Sequence, residues 1–106
     1  MAVKLLNAVT TTGASPRWKA SGSITHTVQI DITGSPTAVT VDLEGSLNDV
    51  TYFTLASHSM TSSELSGSAA MFHVETKRVE YIKANVTTLT GGSSPTVTVR
   101  YFGDES

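Results

Sequence analysis

Alternation of apolar and polar residues with a period of two constrains this chain more than any other feature. From Ile24 to Thr33, the residues Ile24, His26, Val28, Ile30 and Ile32 fall on one side, and Thr25, Thr27, Gln29, Asp31 and Thr33 on the other. Successive side chains of a strand point to opposite faces, so this pattern describes a strand with one buried and one wet face. Gly34-Ser35-Pro36 ends it, because proline cannot donate to a ladder and Gly-Ser favours a turn. Ala38–Ser46 repeats the pattern, with Val39, Val41 and Leu43 inward and Thr40, Asp42 and Glu44 outward. Asn48-Asp49 follows, two residues that tolerate the positive φ of a tight hairpin.

The same reading places strands at Val3–Val9, Pro16–Ala20, Thr51–Ala56, Ala69–Thr76, Arg78–Leu89 and Pro95–Phe102. Ser57–Ser68 breaks the alternation and reads as a long, hydroxyl-rich loop, of the kind that is often functional or interfacial. About eight short strands with regular turn signals describe an all-β protein, a single antiparallel β-sandwich, jelly-roll-like or immunoglobulin-like. The 106 residues suffice for one domain and not for two, so residues 1–106 are expected to form one sandwich. Composition agrees: charged residues are only 15%, and 17 Thr and 14 Ser take their place on the surface. Threonine is β-branched and suits a pleated, half-exposed sheet, so a helical bundle is excluded.

A net charge of −2 with seven Lys and Arg gives no field that would gather nucleic acid. The basic pairs Lys77-Arg78 and Arg17-Lys19 read as ordinary solvated charge. No cysteine is present, which removes disulfides, thiolate catalysis and Cys-ligated zinc. No apolar run approaches the roughly 18 residues of a membrane span. The opening ten residues have too short an apolar core for a secretory signal, so synthesis in a cytoplasm is expected.

Chemistry-bearing residues are sparse. His26 falls among the inward residues and reads as a core histidine with one hydrogen bond, while His58 and His73 flank the long loop and come within reach of each other. No carboxylate spacing completes a metal triad with them. Neither a Gly-x-Ser-x-Gly elbow nor a cleft-facing carboxylate pair is evident, since Asp42, Glu44 and Asp49 cluster about one hairpin. The expectation is a non-enzyme with no cofactor and no metal. In the adjacent pairs Tyr52-Phe53 and Tyr101-Phe102, one ring is expected in the core and the other outside. Trp18, between Arg17 and Lys19, reads either as an exposed anchor or as a plug at one end of the sandwich.

The segment Val39-Thr-Val-Asp-Leu-Glu-Gly-Ser-Leu-Asn-Asp-Val-Thr-Tyr-Phe-Thr-Leu55 resembles a hairpin of small β-sandwich proteins from tailed-phage and prophage virions. In those, Glu-Gly-Ser-Leu precedes Asp-Gly and a strand with Trp or Tyr. It is also similar to the Gly-Ser-x-Asp-Gly…Trp hairpin of discoidin-like carbohydrate-binding modules, whose later strand resembles Val79-Glu-Tyr-Ile-Lys-Ala-Asn-Val86. These stretches cover about a quarter of the chain, and they depart from the pattern at Asn48-Asp49 and Tyr52. The phage resemblance implies a structural virion protein, specifically a decoration (cement) protein on the exterior of the assembled head. It implies the major capsid protein or other virion proteins as partners, a homo-oligomer with a trimer favoured, and neither nucleic acid nor membrane. A tail or baseplate accessory role and a glycan-binding module are the alternatives. Contacts are expected at Ala2, Val3, Lys4 and Leu5, at Arg17, Trp18 and Lys19, and at His58, Met60, Glu64 and Leu65.

Overall fold

The computed structural model describes residues 2–20 and 23–104; residues 1, 21–22 and 105–106 of the expected domain lie outside the described residues. Two antiparallel sheets pack face to face. The strands are β1 (Val3–Val9), β2 (Gly13–Ala14), β3 (Trp18–Lys19), β4 (Thr25–Thr33), β5 (Ala38–Ser46), β6 (Phe53–Ser59), β7 (Ala69–Val74), β8 (Tyr81–Thr90) and β9 (Thr96–Asp104), with a short helix α1 (Ser62–Gly67) before β7. The first sheet has the order β1-β9-β4-β7, and the second β2-β8-β5-β6 with β3 also along β8. Apart from β2 to β3 and the β5–β6 turn, every connection crosses from one sheet to the other.

The expected alternation holds where it is longest. Val28, Ile30 and Ile32 of β4, Val39, Val41 and Leu43 of β5, Ile82, Ala84 and Val86 of β8, and Val97, Val99 and Tyr101 of β9 form the core. These four central strands are flanked on both sides, so every second residue is shielded. Each such aliphatic side chain contributes about 1.5–3 kcal/mol relative to exposure.

Three sequence expectations change. Pro16–Ala20 pairs only at Trp18–Lys19, and a further two-residue strand, Gly13–Ala14, precedes it along β8, so the described residues form nine strands rather than eight. The Asn48-Asp49 hairpin opens into a longer turn, since β6 starts at Phe53, and only Asp49 of the pair takes positive φ, at 61°. Ser57–Ser68 is not a loop: Ser57, His58 and Ser59 finish β6, and Ser62–Gly67 is helical. Thr61 caps that helix, accepting from the Glu64 N–H at 3.2 Å while the Glu64 carboxylate accepts from the Thr61 N–H at 2.8 Å. This reciprocal pairing satisfies two donors that a helix start leaves open. The Thr61 N–H, and then His58, hold the Glu64 carboxyl below its ordinary range.

His26 is fully buried and makes two hydrogen bonds rather than one. The Lys77 carbonyl has no proton to give, so Nε2–H donates to it at 2.7 Å, and Nδ1 accepts from the Tyr101 hydroxyl at 2.6 Å. Burial pushes Tyr101 up to about 12 from 10, with the neighbouring Ser23 pulling the other way. The unfolded chain therefore ionises first. This contribution is complete below pH 10 and is lost as pH climbs from 10 to about 12. The urea midpoint is expected to fall across that window, and to fall less in Tyr101→Phe; equal slopes for the two proteins would contradict the assignment.

Two turns clasp at the end of the sandwich where β4 and β8 finish. The Ser93 N–H donates to the Gly34 carbonyl at 2.8 Å, joining the β4–β5 and β8–β9 turns backbone to backbone. Gly34 and Gly92 hold φ of +81° and +75° there, a left-handed region that glycine adopts freely.

Candidate interaction surface

The opposite end is built differently. The β5–β6 turn, residues 47–52, is fixed by its own side chains. Asn48 Oδ1 accepts from the Ser46 hydroxyl and from the N–H groups of Val50 and Thr51 at 2.9–3.0 Å. Ser46 Oγ in turn accepts from the Asn48 and Asp49 N–H groups at 3.2 and 3.0 Å. Because Asn48 and Ser46 consume the turn's polar groups, its apolar residues are left outside: Leu47, Val50 and Phe53 are 70, 80 and 67% exposed. Leu47 and Phe53 rim an open hollow of about 390 Å³ that also touches Leu55, Arg78 and Val79. A rigid turn presenting apolar side chains loses little entropy on docking.

A charged and aromatic cluster braces this tip. Arg17 Nε lies 2.8 Å from Asp49 Oδ2, and its guanidinium sits 5.1 Å from the Tyr81 ring centroid. The Tyr52 hydroxyl donates to Asp49, and Lys83 Nζ stands 4.4 Å from the Tyr52 ring centroid. Desolvation, then the Asp49 hydrogen bond and charge, push Tyr52 up to about 12. Trp18 pairs with the buried Ile82 at this end, so it lies on the inward side of the sheet, yet it stays 45% exposed. Of the two aromatic pairs, Tyr101 and Phe102 divide between core and surface as expected. Tyr52 and Phe53 do not: Tyr52 lies in the turn, half-buried, and Phe53 opens an edge strand, so neither reaches the core.

A second feature lies on the outer face of the first sheet. Ala2, Thr27, Gln29, Met71, Arg100 and Phe102 surround a shallow hollow of about 160 Å³, with Met71 and Phe102 still 51 and 42% exposed. Cross-strand register builds it: Gln29 faces both Arg100 and Met71, and Thr27 faces both Phe102 and His73. Arg100 is paired with Asp31, which also accepts from Gln29 Nε2 at 3.0 Å.

The expected contact residues are not gathered on one face. Ala2, Val3, Lys4 and Leu5 lie at or beside the open edge β1, with Val3 and Leu5 packed partly on the core. That edge is blunted by two register shifts and by Ala8 at φ +50°, whose N–H turns to Thr98 Oγ1. Arg17, Trp18 and Lys19 sit beside the tip. His58, Glu64 and Leu65 belong to the far end of β6 and to α1. There His58 Nε2 lies 3.0 Å from Glu64 Oε1 and its ring stacks on Phe72, while Leu65 packs against the core. Met60 is 7% exposed and is a core residue, so it is not accessible to a partner. His58 and His73 do not pair; His73 Nδ1 lies 3.0 Å from Thr27 Oγ1 instead. Among the described residues no cluster of three or more His, Cys, Asp or Glu is placed to hold a metal, and no helix is long and apolar enough to cross a membrane.

No family model and no curated protein sequence matches the chain. Solved structures do share its fold. SPBc2 prophage-derived protein YomS aligns with a TM-score of 0.61 at 12% identity, over 95% of this chain and 88% of that one. PBSX exported protein XepA aligns at 0.62 and 11% identity, over 95% of this chain and 36% of that one. A family 89 glycoside hydrolase from Clostridium perfringens aligns at 0.58 and 12% identity, over 93% of this chain but only 12% of the enzyme. The chain thus spans most of YomS and a small part of the hydrolase. At such identities the likeness is one of fold.

Proposed function

We propose that the chain is a structural component of a tailed-phage or prophage particle: a decoration protein bound to the major capsid protein on the exterior of the assembled head. In this reading it is a non-catalytic homo-oligomer, trimer favoured, assembled in the bacterial cytoplasm and engaging neither nucleic acid nor membrane. The observation that carries the reading is the end bearing Trp18, Leu47, Val50 and Phe53, apolar side chains that stay exposed on a braced scaffold. Large apolar side chains left exposed at one end of a small domain mark an interaction site. The near end-to-end fold match with a prophage-derived protein gives it a setting. A partner that binds only the assembled shell stabilises it by mass action, and many copies on a lattice multiply a modest contact.

Sedimentation of the purified protein with and without empty shells tests this. Saturable co-sedimentation is expected, and Trp18→Ala is expected to weaken it by about tenfold or more while leaving the melting temperature nearly unchanged. A protein that ignores shells, or a Trp18→Ala variant that unfolds, would overturn the assignment. The fold match to part of a glycoside hydrolase supports a second reading, a glycan-binding module. Millimolar sugar raising the melting temperature, with no response to shells, would favour it. Pelleting with tails and not heads would point to the accessory role.

A further inference from the structure

We propose that β7 is the strand through which two copies of this chain join, each β7 pairing antiparallel with the other about a two-fold at Met71. The pair rests on the self-association in the reading above, makes it two-fold where a trimer was favoured, and uses none of the side chains given there to the shell. Three observations lead to it.

The first is the direction of the backbone groups. The Ile32 N–H donates to the Ser68 carbonyl at 3.0 Å, so these two residues face each other as a bonded pair, and Ile30–Ala70, Val28–Phe72 and His26–Val74 follow along the ladder. The alternate pairs are not bonded to each other. The N–H and C=O groups of Ala69, Met71 and His73 therefore point away from β4, to the open edge of the sheet. The second is the lack of anything that would blunt this edge. Edge strands are protected by brevity, bulges, prolines or charges. Among the described residues, β1 has two register shifts, β2 and β3 have two residues each, and β6 runs beside a register shift at Leu43–Glu44. β7 keeps six unbroken pairs with β4, and Ala69-Ala-Met-Phe-His-Val74 holds no proline, glycine, lysine, arginine or carboxylate. The third is charge, which selects the occupant. A charged strand from another protein would find no counter-charge on β7. A second copy, antiparallel about Met71, sets Met71 opposite Met71 and Ala69 opposite His73, so no like charges meet. The flanking ions leave this undisturbed: Asp31 is held by Arg100, Glu64 by His58, and Glu75 is followed by Lys77 and Arg78, of opposite sign.

Complementary substitution at the two-fold tests it. Met71 is exposed, so Met71→Lys and Met71→Asp are both expected to fold, which circular dichroism checks. A single strand pair is smaller than a standard interface of roughly 800 Å² per partner, so sedimentation equilibrium is expected to show wild-type dimers at micromolar concentration and above. Each variant alone sets like charges face to face and is expected to dimerise at least about tenfold more weakly. An equimolar mixture sets Lys opposite Asp and is expected to recover dimers, since residue 71 meets only its own counterpart in this register. Hydrogen exchange reads the same contact on the wild type: the Ala69, Met71 and His73 amides are expected to slow as concentration rises, while those along β6 do not. A monomeric wild type, a variant that dimerises unimpaired, a mixture no tighter than either variant, or exchange at β7 that ignores concentration would overturn the inference. A monomer that coats shells overturns it and leaves the decoration reading in place; a dimer that passes these tests and ignores shells does the reverse.

Discussion

His26→Leu is expected to remove roughly 2–6 kcal/mol of stability, because the buried Tyr101 hydroxyl, with Ser23 still beside it, and the part-buried Lys77 carbonyl each lose their His26 partner, at about 1–3 kcal/mol apiece. The Lys77 carbonyl loses its Nε2–H donor and the Tyr101 hydroxyl loses its Nδ1 acceptor. Leucine fits the space without gross overpacking, so the loss reads out the polar network and not a cavity. At about 4–8 °C per kcal/mol for a domain of this size, the thermal midpoint should drop by about 8 °C or more. Adding Tyr101→Phe removes one orphan and should restore about 1–2 kcal/mol. A single-variant loss below about 1 kcal/mol, or no recovery in the double variant, would show that the network does not hold β4, β9 and the Lys77 connection together.

Gly92→Ala is expected to be comparably damaging for an unrelated reason. A Cβ there would press on the Gly34 carbonyl and stand 2.9 Å from Ser35 C, on backbone that cannot swing aside as a side chain would. The left-handed φ adds about 1–2 kcal/mol and the crowding about 1–3 more. Gly67→Ala is the control: a Cβ there meets nothing within 4 Å, and it sits in a helix, where alanine is favoured. Chemical denaturation of the two variants should give losses that differ by more than about 2 kcal/mol. Similar losses would mean that the clasped turns separate easily.

What could be read in the residues was governed by period. β4 and β5 are legible because nine consecutive positions alternate in β4 and the first eight in β5, and a one-residue slip would turn every apolar side chain outward. β3 is legible only in outline, since Pro16 to Ala20 is too short to show a period and only two of its residues pair. Helix α1 carries a signal in Thr61-Ser-Ser-Glu64, a capping-box sequence that the serines around it mask. The interaction surface was half legible. Trp18 could be suspected from its charged neighbours, but Leu47 and Val50 looked like hairpin flanks. Their exposure follows from Ser46 and Asn48 capturing the turn's N–H groups, a contact that depends on side-chain direction and not on pattern.

The strand order also dictates when this protein can become itself. β9, the last strand, lies between β1 and β4, and β8 lies between β5 and the short pair at the start. A nascent chain that has emitted its first three-quarters therefore holds only one of the first sheet's three pairings, β4 with β7, and of the second sheet only the β5–β6 hairpin. Neither sheet can be completed until residues 81–104 arrive. Folding thus begins in earnest only after β8 and β9 have been made, and closure must search over loops as long as the span from β1 to β9, which places its rate among the slower, non-local topologies. Until then β1 and β4 are strands in want of a neighbour, and crowded ribosomes making many copies at once would be the point of greatest exposure to misassembly.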